Sequence, residues 1–146
     1  YDIGDKTLAC GRKPDGLKLW MCMQRRGLAD FRQNADDVLA KARHLTSLVN
    51  QREGAFEMVN KPMAFSICFF YTPPAFRNGN YSDEARCAVH KMIFERMQQK
   101  GSLLIQHNPL PDQGLPNFFR VTLKGEKTTM DDMGYWLDEI ERLGND

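Results

Sequence analysis

The stretch "NFFRVTL", residues 117–123, decides how the rest of the chain is read. Phe119, Val121 and Leu123 fall on one side of an extended chain; Phe118, Arg120 and Thr122 fall on the other. That period of two predicts a strand with one face in a core. The strand carries one permanent charge in its middle. Two readings of Arg120 stand on the residues alone. It is an edge-strand arginine with its head in water or on a structural carboxylate, or it recognises an anion through its planar fork.

Working outward, Pro109 to Pro116 reads as a loop, and "SLLI", 102–105, as a short strand before it. "MAFSICFFY", 63–71, is rich in aromatic residues and is stopped by Pro73 and Pro74. It predicts a central strand, paired with 56–60. Residues 75–82 form a surface loop around Asn78, Gly79 and Asn80. Ser82 caps a helix with Asp83 and Glu84 in its first turn and Gly101 at its end. Its apolar face is Ala85, Ala88, Val89, Met92 and Ile93. Thr129 with Asp132 resembles a capping box, after which Met133, Trp136, Leu137, Ile140 and Leu143 give the last helix its core face. Towards the amino terminus, Leu28, Phe31, Ala35, Val38, Ala42, Leu45 and Val49 mark a long amphipathic helix with Gln33, Asp36, Asp37, His44 and Ser47 on its wet side. Pro14 opens an earlier helix, apolar almost all round, that stops at Gly27 and is expected to be largely buried. Helices interleaved with closely connected strands predict an α+β fold, a small antiparallel sheet covered on one face by helices.

Composition narrows the function classes. The 146 residues suit one domain with a modest core. A net charge of +1 lacks the basic excess of a general nucleic-acid binder. No apolar run is long enough for a membrane-spanning helix. The opening Tyr1-Asp2-Ile3-Gly4-Asp5 has no signal-peptide character. It also lacks an initiator Met, which we read as a piece of a longer protein or a processed product. Cys10, Cys22, Cys68 and Cys87 form no C-x-x-C pair, so a reduced, cytoplasmic chain is expected, in which the sequon Asn80-Tyr81-Ser82 has no meaning.

Catalytic constellations are missing. His44 and His90 read as exposed helix residues, and His107 as a loop residue for which a plain surface role outweighs an approach to a site. No two histidines have metal-ligand spacing and no cysteine pairs with them, so no metal is expected. "CGRKPDG", 10–16, is neither a P-loop nor a dinucleotide fingerprint.

Four stretches taken together carry a resemblance. "GDKTLACGRKPDGLKLW" (4–20), "CFFYTPPAFR" (68–77), "NFFRVTL" (117–123) and "DEIERLGND" (138–146) resemble the carboxy-terminal part of pyridoxal-phosphate-dependent group II decarboxylases. The nearest branch is glutamate decarboxylase and cysteine sulfinate decarboxylase. The resemblance implies a fold-type I enzyme, with 1–27 ending the large cofactor domain, 28–50 a linking helix and 51–146 the carboxy-terminal small domain. It implies pyridoxal 5'-phosphate held mainly by residues outside this chain, because the family's Schiff-base lysine follows an Asn-Pro-His motif that is absent here; Val89-His90-Lys91 is not that motif. No catalytic residue is therefore expected in this chain. It implies a homodimer, joined to the remainder of the decarboxylase chain, acting on glutamate, cysteine sulfinate or aspartate.

In that frame Arg120 matches the family arginine that binds a substrate carboxylate. Arg12, in the "CGR" turn, matches another arginine and is assigned a structural role more readily than a substrate one. His107 stands where the family has tyrosine: Gln106-His107-Asn108-Pro109 replaces Gly-Tyr-Gln-Pro. "CFFY" replaces the commoner Cys-Phe-Trp-Tyr, and the loop to Asn117 is longer. A non-catalytic fragment that only dimerises or docks, and an unrelated α+β binding domain, are the competing readings.

Overall fold

A computed structural model describes residues 14–79, 81–124 and 127–145. The chain divides into two compact units, Tyr1–Asp36 and Asp37–Asp146. The long helix α1 (Asp15–Gln51) is interrupted at Gly27, whose φ of 73° and ψ of 167° are non-helical. That positive φ suits a residue without Cβ and separates the two predicted helices where the sequence placed the stop.

In the first unit the apolar side chains before Gly27 are not buried, contrary to the sequence-based expectation. Leu17, Leu19, Trp20, Met21 and Met23 are all exposed, Trp20 by 58%, and Leu28 beyond the break by 73%. A helix apolar on every side needs a neighbour on every side, and this unit contains little else than α1 among the described residues.

The second unit is a four-stranded antiparallel sheet with helices. Its strands are β1 (Phe56–Met58), β2 (Ser66–Tyr71), β3 (Gln106–Leu110) and β4 (Leu115–Thr122), in the spatial order β1-β2-β4-β3. The register sets Ile67 against Val121, Cys68 against Arg120 and Phe69 against Phe119. Val38, Ala42, Leu45 and Val49 of α1, Ile93 and Met97 of α2 (Asp83–Lys100), and Met133, Leu137, Ile140 and Leu143 of α3 (Met130–Asn145) close one core with Phe56, Ile67, Phe69, Tyr71, Phe119, Val121 and Leu123. The inward set of β4 is the alternate set read from the sequence, which sends Arg120 and Thr122 outward. Both expected caps are present. Ser82 accepts from the Ala85 amide, and Thr129 and Asp132 exchange side-chain bonds with each other's amides.

Three local expectations are corrected. "SLLI" is not a strand; β3 begins after it, at Gln106. Gly101 turns the chain out of α2 at φ 63°, and Ser102 is engaged on Glu139, so the extended ladder starts later. Pro109 is inside β3, tolerated because β3 is an edge strand. His90 is fully buried, not exposed: the buried positions of α2 are His90, Ile93 and Met97, and Ala88 faces solvent. Phe118 is on the Arg120 side but only 8% exposed, edge-on to Phe70 with ring centroids 6.3 Å apart.

Candidate functional site

Arg120 stands on β4 between two neighbours. Cys68 of β2 is its cross-strand partner on one side and Gln106 of β3 on the other. Its Nη2 donates to Gln106 Oε1 at 3.0 Å. No carboxylate lies within ion-pair distance of Arg120 among the described residues. The guanidinium is therefore held by a neutral amide and keeps its net charge for something else. Burial pushes the Cys68 thiol up, opposed by the Ser66 hydroxyl and the Arg120 charge, so it is a neutral, half-buried neighbour.

Beside this strand is an open groove of about 500 Å³. Leu104, Gln106, Arg120, Thr122, Lys124 and Trp136 line it. Two cations, two polar side chains and apolar walls suit a small anion with an aliphatic body.

The other end of β4 is fixed by His90. Its Nδ1–H donates to the Asn117 carbonyl, and its Nε2 lies 3.2 Å from the Tyr71 amide nitrogen and 3.1 Å from the Tyr71 carbonyl oxygen, accepting from the amide when the ring is neutral. One imidazole thus ties the start of β4 to the end of β2. Burial outweighs the Asn117 and Tyr71 carbonyls, which favour a protonated ring, and pushes its pKa down to about 4; the neutral ring then donates at Nδ1 and accepts at Nε2. The ring also packs 4.6 Å from Phe119. Arg86 covers the outer side of this end, 4.4 Å above the Phe70 ring.

Of the residues singled out in the sequence, Arg120 is brought to the groove. His107 is in β3 opposite Phe119, so it faces the helices, 4.6 Å from the Phe94 ring, while Arg120 faces away from them. Burial lowers its pKa. Arg12 lies outside the described residues. Sequence reasoning passed over Gln106, the side chain that touches Arg120. The available signal was its place at the head of the stretch that departs from Gly-Tyr-Gln-Pro, one residue before the histidine that drew attention.

Comparisons with known proteins bear on this geometry. A family model described as the pyridoxal-dependent decarboxylase conserved domain matches residues 1–72. Acidic amino acid decarboxylase GADL1 of Bos taurus is 36% identical over 149 aligned residues, covering 100% of this chain and 28% of that protein. Human cysteine sulfinic acid decarboxylase is 37% identical, covering 99% and 29%; Drosophila melanogaster glutamate decarboxylase is 31% identical, covering 100% and 29%. The crystal structure of mouse CSAD in apo form superposes with a TM-score of 0.85 at 33% identity, over 99% of this chain and 30% of that one. Oryza sativa TDC with PLP and tryptamine gives 0.73 at 21% over 88% and 26%, a likeness of fold. The chain spans under a third of the length of these relatives. The expected small antiparallel sheet with helices is the fold found, matching the carboxy-terminal small domain of fold-type I enzymes.

Proposed function

This chain is a portion of a pyridoxal-dependent decarboxylase, and we propose that in the whole enzyme it supplies the clamp for an acidic amino acid that loses carbon dioxide. The observation that carries this reading is Arg120, turned out of the sheet over a groove, with an amide and, among the described residues, no carboxylate for company. The relatives' names, acidic amino acid, cysteine sulfinic acid and glutamate decarboxylase, support the substrate class.

The described residues do not form a cofactor site. The buried lysine, Lys41, is paired with Asp37 at 2.5 Å, and the buried histidine is engaged with two strands. Pyridoxal phosphate, held by the remainder of the enzyme, would supply the electron sink for the bonding pair left on the substrate's α-carbon as carbon dioxide departs. This chain's part is orientation. Gripping the carboxylate that leaves would stabilise a charge that disappears on the way to the transition state and would slow the reaction. Arg120 therefore holds the side-chain acid, the γ-carboxylate of glutamate or the corresponding sulfinate or β-carboxylate. The exposed apolar side chains of the first unit support burial against other parts of a homodimer.

The test is kcat/KM for an acidic substrate and a neutral analogue of similar length. Arg120→Ala should cost the acid about 2–5 kcal/mol of transition-state stabilisation, the range for truncating one member of a buried charge pair. Arg120→Lys should also be badly impaired, since it keeps the charge and loses the fork. Equal losses for both substrates would mean that Arg120 grips the α-carboxylate or only supports the strand.

A further inference from the structure

We propose that Gln106 is the positioning residue of the acid clamp and determines how strongly the site prefers an acid over its neutral analogue. The inference rests on Arg120 acting as the clamp, as proposed above.

The geometry is specific. Gln106 and Arg120 are direct cross-strand partners on the outer side of the sheet. Side chains in such pairs are close enough to touch and share a direction. Gln106 Oε1 accepts from Arg120 Nη2 at 3.0 Å. A guanidinium offers two bidentate edges, one through Nε and Nη2 and one through Nη1 and Nη2. Nη2 belongs to both and has one hydrogen for each. A bond from Nη2 to Gln106 uses one of those hydrogens. One edge is left for a bidentate grip, so an incoming carboxylate has one approach instead of two.

Gln106 also has a donor end. Its amide N–H₂ has no hydrogen-bond partner among the described residues, and it is carried on the same side chain that touches the guanidinium. Both residues line the groove. The amide can add a hydrogen bond to an oxygen of the bound acid, which a neutral apolar ligand cannot use. Acceptor and donor ends act together: one orients the cation, the other extends the anion receptor. Charge is unaffected, because the amide is neutral.

Charge substitution separates this role from simple strand pairing. In Gln106→Glu the side chain keeps its length and its acceptor for Arg120, so the strand pair is retained. It now neutralises the cation and repels an acid. In Gln106→Ala the guanidinium keeps its charge and loses its orienting partner.

The experiment uses the whole decarboxylase containing this segment, with cysteine sulfinate or glutamate as the acid and a neutral analogue of equal length. Folding is checked by thermal melting. Gln106→Ala should lower the acid-to-neutral ratio of kcat/KM about tenfold, the scale of one hydrogen bond to a charged group. Gln106→Glu should lower it about a hundredfold, mainly through KM, while melting at or above the wild-type temperature. Either folded variant with the wild-type ratio overturns the proposal. Arg120→Ala is run beside them. If it reduces acid and neutral substrates equally, the clamp reading fails and this inference falls with it. If it is selective while the Gln106 variants are not, the clamp stands and the positioning role alone is refuted.

Discussion

Acidification should weaken the second unit through one buried ring. An imidazole ordinarily titrates near 6.5, and His90 in the folded chain is pushed down to about 4. The unfolded chain therefore binds the proton more readily than the folded one, and stability falls as pH drops from about 6.5 towards 4. Above 6.5 the ring is neutral in both states and contributes no pH dependence. The gap between 6.5 and about 4 corresponds to about 3 kcal/mol, most of it lost by pH 4.5. Residues 37–146, which hold a continuous core, should be unfolded in urea at pH 7.5 and pH 4.5. The midpoint of the wild type should drop by about 1–2 M more than that of His90→Gln, which has no ring to protonate. Glu139, held down to about 2 by Arg142, stays ionised in the folded state, and its titration in the unfolded chain is common to both proteins and cancels in the difference. His107, whose pKa is also lowered, titrates in both proteins and cancels in the difference. Equal pH losses in wild type and variant would refute the assignment of a neutral, buried His90 spanning β2 and β4.

Two further outcomes are expected. Gly144→Ala should destabilise the same segment by up to about 2 kcal/mol: a Cβ would stand 2.4 Å from Cε1 of the fully buried Tyr71. Overpacking of about 1–3 kcal/mol then exceeds the helix-propensity gain of about 1 kcal/mol; an unchanged or raised melting temperature contradicts this. Light scattering should find residues 37–146 monomeric and the 146-residue chain self-associated, since only the latter carries the exposed Leu17, Leu19, Trp20, Met21 and Met23; a monodisperse 146-residue monomer contradicts it.

What the sequence disclosed was what depends on near neighbours. The alternation of β4 and both helix caps are set within a few residues, and each is found where it was read. The face of α2 was misread because a polar residue sits on its buried stripe. His90 looks misplaced until its partners are known, and they are 19 and 27 residues away on two strands. β3 was misread because a proline and polar side chains imitate a loop, while its pairing with β4 supplies the order that its composition does not. Arg120 was visible as an anomaly in an apolar strand. Gln106 was not, because its role exists only through the register that places it beside Arg120.

The order β1-β2-β4-β3 gives the two halves of the proposed anion receptor different freedom to vary. Arg120 is on an interior strand, hydrogen-bonded on both flanks, so displacing it means disturbing two ladders. Gln106 is on the rim, followed by an irregularity between Asn108 and Leu110 and a short turn at Pro111–Gln113. Insertions, register slips or exchanges there leave the interior strand in place. On the proposed reading, a lineage built on this sheet can keep its charged anchor constant while retuning which acid it accepts from the rim alone.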